Sequence, residues 1–232
     1  MKNVFAVFLF ASLLHAVSFD VASVKLSSPD AVGTNSDSDP GRLIMRNVTL
    51  RRCLQRAYDV PAIQIDGGPK WLDDSHFDIE GRAGYPAQYA ELNQMLQTLL
   101  AERFHLTLHH ETRPMQGYAI VLAKDGLKMK PSAPGTTGHT SDNPGIVIST
   151  AVSISRLALK LSNLLGVPVV DQANTPGFFD FTLRWVPDDA LDATAGPSLF
   201  TAIQEQLGLK LEARKVPTDM LIIDRADKPS EN

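Results

Sequence analysis

The chain has 232 residues, 44% hydrophobic and 21% charged, and a formal net charge of −4 with both signs spread along it. A mildly acidic chain without a basic block does not suit nucleic acid or anionic lipid as a partner. A single cysteine, Cys53, excludes an intrachain disulfide, so packing has to supply the stability.

Met1-Lys2-Asn3 leads into an apolar run from Val4 to Leu14, and Ala16 follows as a small residue before Ser18-Phe19-Asp20. The run is shorter than the roughly 20 apolar residues of a membrane span and matches the roughly 7 to 15 of a secretory leader. Residues 1–16 are expected to be a signal peptide, which places the mature protein in the periplasm or outside the cell. No cysteine near the cleavage point supports a lipid anchor, and no later run is long enough to span a membrane.

Beyond the leader the same order of residues occurs twice. Arg103-Phe104-His105-Leu106-Thr107-Leu108, then Pro114 and Tyr118-Ala119-Ile120, is answered by Gln206-Leu207-Gly208-Leu209-Lys210-Leu211, then Pro217 and Leu221-Ile222-Ile223. Val48-Thr49-Leu50 is answered by Val152-Ser153-Ile154, and Phe77-Asp78-Ile79 by Phe179-Asp180-Phe181. The expectation is an α+β protein made by internal duplication of a strand-helix-strand-strand-helix-strand-strand unit, with antiparallel or mixed sheets covered by helices on one face. The copies fall at 19–125 and 146–232, joined by a linker loop at 126–145 that is rich in proline, glycine and serine; Ser27 to Gly41 has a similar loop composition.

Within each unit the periodicities are distinct. Thr49 is placed to cap a helix whose Leu50, Cys53, Leu54, Ala57 and Tyr58 form one apolar stripe, which makes Cys53 a packing residue. A second helix follows Pro86 and carries Tyr89, Leu92, Leu96, Leu99 and Leu100, with Leu199, Ile203 and Leu207 in the same part later. Phe179, Phe181, Leu183 and Trp185 alternate with Asp180, Thr182 and Arg184, so the first set faces a core. Leu106 to Leu108 and Tyr118 to Val121 read as two antiparallel strands turned through Glu111 to Gln116.

Reactive constellations are scarce. His105, His109, His110 and Glu111 offer ligand and base chemistry, but on one strand His105 and His109 stand roughly 13 Å apart, too far to share a zinc. Pro114 occupies the position where the helical zinc-protease motif needs its second histidine. Asp73, Asp74, Asp78 and Glu80 supply carboxylates, though nothing in their spacing sets the separation that a glycosidase pair needs. Asn47-Val48-Thr49 matches the glycosylation triplet at a helix start. No cofactor or metal is implied.

The remaining surface candidate is Gly67, Gly68, Pro69, Lys70 and Trp71, a glycine turn presenting an aromatic that can stack on a sugar or a peptide side chain. The competing role for Trp71 is to close the edge of the core.

Phe19-Asp20-Val21-Ala22-Ser23-Val24-Lys25, Asn47-Val48-Thr49-Leu50, Gly67 to Leu72, Phe77-Asp78-Ile79, Leu99 to Phe104, Val169-Val170-Asp171, Gly196 to Phe200 and Lys228 to Asn232 together resemble a large paralogous family of exported soil-bacterial proteins of unknown function. A similar domain forms the outer part of sensor-type membrane metallopeptidases, whose zinc motif and membrane helices are missing here. The resemblance implies no catalytic residues and points to ligand or partner sensing. Cys53 and the His109-His110 pair depart from the family pattern. A fold-level similarity to the short periplasmic domains of secretins and TonB-dependent receptors points the same way. The expectation is a non-catalytic binding module for an envelope protein, peptide or glycan; the alternative is a hydrolase of peptide, ester or glycan using His109 and Glu111 or the acids near Asp78.

Overall fold

The computed structural model describes residues 17–187 and 196–229; the expected signal peptide, 1–16, lies outside the described residues. In chain order the elements are β1 (Val21–Leu26), β2 (Asn35–Asp39), β3 (Arg42–Thr49), α1 (Leu50–Tyr58), β4 (Ile65–Gly67), α2 (Trp71–Asp74), β5 (His76–Arg82) and α3 (Tyr89–Phe104). Then follow β6 (Thr107–Leu122), β7 (Lys130–Pro131), β8 (His139–Asn143), β9 (Ile146–Val152), α4 (Ile154–Leu165), β10 (Val169–Asp171), β11 (Phe179–Arg184), α5 (Leu199–Ala202) and β12 (Leu209–Arg225). The protein is α+β, with three four-stranded sheets among the described residues.

The chain forms two compact units. The described residues of the first lie within Met1–Asp59, Pro69–Thr107 and Arg225–Asn232; those of the second lie within Val60–Gly68 and Leu108–Asp224.

The first unit holds the antiparallel sheet β1-β5-β3-β2. Its strands alternate as period two requires: Leu43, Met45, Phe77 and Ile79 are inaccessible, whereas Arg42, Arg46, Asp78 and Glu80 keep contact with solvent. Helix α1 starts where Thr49 Oγ1 accepts the Arg52 N–H at 3.2 Å, and it buries Leu50, Cys53, Leu54 and Ala57. Such a cap contributes about 1 kcal/mol. Helix α3 opens with a capping box in which the Glu91 carboxylate accepts the Gln88 N–H, and it buries Leu92, Met95, Leu96, Leu99, Leu100 and Phe104. Tyr89 stays half exposed, with the Arg56 guanidinium 3.7 Å above its ring.

The second unit holds the antiparallel sheet β7-β11-β9-β8 and the mixed sheet β10-β6-β12-β4. Helix α4 is capped by Ser153, whose Oγ accepts the Arg156 N–H at 3.2 Å, and buries Ile154, Leu157, Ala158 and Leu161. These join Phe179, Leu183, Leu199, Ile203 and Leu207 in one core, with Phe181 and Trp185 packed at its margin. The alternation expected for Phe179 to Trp185 is therefore observed, interrupted by a bulge between Phe179 and Phe181.

Two parts of the chain differ from the sequence expectation. The segment from Leu106 to Val121 does not turn: β6 is one strand of 16 residues, and β12 one of 17. No residue from Glu111 to Gln116 has a positive φ, and the Arg113 guanidinium is held by Glu111 on its own strand and by Asp66 of β4. The polar stretch resembled a turn because its residues lie largely open to water, which removes the apolar alternation that marks a strand. Secondly, both loop-like stretches contain short polar edge strands, β2 and β8, closed by Pro40-Gly41 and Pro144-Gly145 with glycine φ of 81° and 78°. Proline followed by glycine favours such a reversal.

Candidate functional site

Gly67 ends β4, paired in parallel with Ile223 of β12, and a Cβ there would lie 2.8 Å from the Ile223 carbonyl oxygen. The chain leaves the second unit after Gly68, and Pro69, Lys70 and Trp71 belong to the first. Trp71 begins α2 and turns inward: its ring stacks on Phe104 at 6.2 Å and meets Phe77 edge-on at 6.3 Å, while Phe77 and Phe104 pack edge-on at 5.1 Å. Lys228 Nζ lies 5.9 Å from the centre of the Trp71 ring. The indole is thus part of an aromatic cluster with one margin left open.

The carboxylates of the sequence candidates are engaged within the fold. Asp78 Oδ1 accepts the Ser27 hydroxyl at 2.8 Å and the Asn47 N–H at 2.9 Å, where Asn47 has φ of 51° at the bulge of β3. Burial pushes the Asp78 carboxyl up, but these two donors and nearby Arg46 outweigh it and hold it below the usual range. Asp180 does the same work in the second unit, accepting from Ser132 and from the N–H of Ala151, whose φ is also 51°. Each carboxylate pins a left-handed residue just before a helix cap. Glu80 is gripped by Arg42, Arg46 and Arg82 at 3.1 to 3.3 Å, and the hydrogen bonds from Arg42 and Arg82 lower its carboxyl. Asp73 accepts from Arg51 Nε at 2.6 Å.

The histidines face acids rather than one another. His109 Nδ1 lies 2.9 Å from Asp224 and His110 Nδ1 2.9 Å from Asp219, both on the exposed β6/β12 ribbon; His105 Nδ1 lies 3.4 Å from Asp227 in the first unit. The aspartates are more than a hundred residues away along the chain, so only pairing of the two long strands could have revealed them. Glu111 is bound to Arg113 at two points, the hydrogen bonds lowering its carboxyl, and is not free to act as a base. Among the described residues no group of three His, Cys, Asp or Glu is arranged to hold a metal, and no helix is long and apolar enough to cross a membrane. Burial pushes the Cys53 thiol up to about 12, so it remains protonated and inert.

A cavity of about 350 Å³ opens beside Gly41, Arg42, Arg82, Gly84 and Tyr85, with both guanidinium groups already bonded to Glu80. A feature without a motif is the edge strand β1. Among the described residues it pairs only with β5; it contains neither proline nor bulge, has Lys25 as its one charge, and leaves Val21 and Leu26 68% and 54% exposed. The opposite edge, β2, is Asn-Ser-Asp-Ser-Asp, a sequence that disfavours further pairing. In the sequence Phe19 to Lys25 carries only the family resemblance, and the edge position of this strand follows from its pairing with β5.

The fold and these arrangements define an α+β protein whose acids and histidines are spread over separate structural pairings. Residues 51–226 match the family described as Protein of unknown function (DUF3738), and the chain belongs to that family. No curated protein and no solved structure matches it.

Proposed function

We propose that the protein is an exported, non-catalytic interaction module, made of two copies of one unit, that takes an extended segment of an envelope protein or peptide along the free edge of β1. The exposed, proline-free edge of β1 carries this reading: unpaired N–H and C=O groups there match only another extended backbone. The leader-like sequence supports export, and the likeness to the outer part of sensor-type membrane metallopeptidases supports partner sensing. Duplication is supported by features that recur about a hundred residues apart: the caps Thr49 and Ser153, the left-handed Asn47 and Ala151, the acceptors Asp78 and Asp180, and the sheet orders β1-β5-β3-β2 and β7-β11-β9-β8.

The test is photocrosslinking from a photoreactive residue at exposed position 25 in envelope extract, comparing the otherwise parental chain with Val21→Lys/Leu26→Lys. Both side chains are exposed, so the variant keeps its fold, which a thermal melt checks. Loss of the same crosslinked partner from the variant is expected; equal crosslinking by both forms refutes the edge assignment.

A second reading, hydrolysis of peptide, ester or glycan, is favoured by one observation: Asp224 faces His109 Nδ1, the arrangement that orients an imidazole whose other nitrogen serves as a base. Turnover of any substrate in a broad panel that is abolished by His109→Ala would establish it, and turnover that survives both His109→Ala and Glu111→Ala would remove it.

A further inference from the structure

The sheet β10-β6-β12-β4 alternates between the later and earlier parts of the chain at every step. β4, which follows α1, pairs in parallel with β12, near the end of the chain: Ile65 with Leu221, Asp66 with Ile222, Gly67 with Ile223. β10, which follows α4, pairs in parallel with β6: Val169 with Tyr118, Val170 with Ala119, Asp171 with Ile120. The long strands are neighbours, and their contacts, His109 with Asp224 and Gly117 with Val216, run in opposite chain directions. They are therefore antiparallel.

Both short-strand pairings lie against buried residues, including Ile65, Val169, Ala119, Ile120, Leu221 and Ile223. The approach is close on each side. At Gly117 a Cβ would overlap the Pro168 carbonyl, and at Gly67 it would press on that of Ile223.

We infer that the two half-chains, divided at the turn Ala123–Gly126, whose Lys124 and Asp125 are exposed, are obligate binding partners: each long strand is an acceptor edge built for the short strand of the other half. A three-residue strand cannot hold an isolated sheet together, and without the other half each long strand would lose the neighbours on both of its sides. The partner that fits this surface is therefore another half-chain, supplied here in cis. This inference concerns assembly and stands apart from the proposed binding at β1.

The test inserts a protease site between Lys124 and Asp125 in the full chain and cuts it after folding. The turn is closed by the Gly126 N–H to Ala123 carbonyl bond, and Asp125 is exposed. The nicked protein should elute as one particle with the mass of the intact chain. Its urea midpoint should fall with each tenfold dilution, because unfolding then separates two molecules, while the midpoint of the uncut chain stays fixed. In a second variant, Asp66→Cys with Ile222→Cys should form a disulfide that joins the two fragments in a non-reducing gel; native Cys53 is buried and does not compete. Fragments that part while each keeps its circular dichroism, a midpoint indifferent to dilution, or failure of the cysteine pair to join the fragments would overturn the inference.

Discussion

Replacing Gly208 by alanine tests the fold where it is least forgiving. Gly208 ends the helical segment before β12 at φ 69°, and an added Cβ would overlap the Gly126 carbonyl and lie 2.8 Å from the Lys128 nitrogen. A left-handed non-glycine residue costs about 1–2 kcal/mol. The overlap is with backbone, so no rotamer relieves it, and the turn must move. That weakens the bonds from Ala123 N–H to the Gly208 carbonyl and from Lys128 N–H to the Leu207 carbonyl, both 2.9 Å, at about 0.5–1.5 kcal/mol each. The combined loss is about 2–5 kcal/mol, or roughly 10 °C in melting temperature for a domain of this size. A thermal melt followed by circular dichroism measures it. The corresponding residue earlier in the chain, His105, sits at φ 44° with its side chain 71% exposed, so His105→Gly should raise stability by up to about 1 kcal/mol. A Gly208→Ala protein melting within about 2 °C of the parent would refute the reasoning.

Asp78→Asn should destabilise the chain at neutral pH, because a neutral amide oxygen accepts from Asn47 and Ser27 more weakly than the carboxylate does. Since folding lowers this carboxyl, its contribution is complete above the unfolded value near about 3.9 and disappears as pH falls through the folded value. Urea titrations at about pH 7 and about pH 3 should therefore show the gap between parent and variant closing in acid. Trp71→Ala should cost about 3 kcal/mol by opening the cluster with Phe77 and Phe104, read as a lower urea midpoint. Cys53 should resist a thiol reagent at neutral pH in the native chain and react at once in denaturant; rapid native labelling would contradict its burial.

The helices were legible because each carries its own signals. Leu50, Cys53, Leu54 and Ala57 lie one stripe apart, Thr49 stands at the cap, and Ile154 to Leu161 repeats the pattern after Ser153. What escaped notice depends on partners distant along the chain. The three residues of β4 or β10 contain too little pattern to specify a neighbour, so parallel pairing to β12 and β6 cannot be derived from them. The long ribbon was hidden for a different reason: His109 to Gln116 are held by cross-strand bonds and charge pairs rather than by an apolar face. Of the site candidates, the glycine turn was legible as a turn, but the inward orientation of Trp71 follows from Phe77 and Phe104, which are remote from it or on another element.

Vectorial appearance of the chain, amino end first, gives the Ile65–Leu221 register a kinetic consequence. Ile65, Asp66 and Gly67 wait for residues about 150 positions later before their backbone groups can be satisfied in the sheet. A nascent chain therefore stays incompletely folded at least until β12 has emerged.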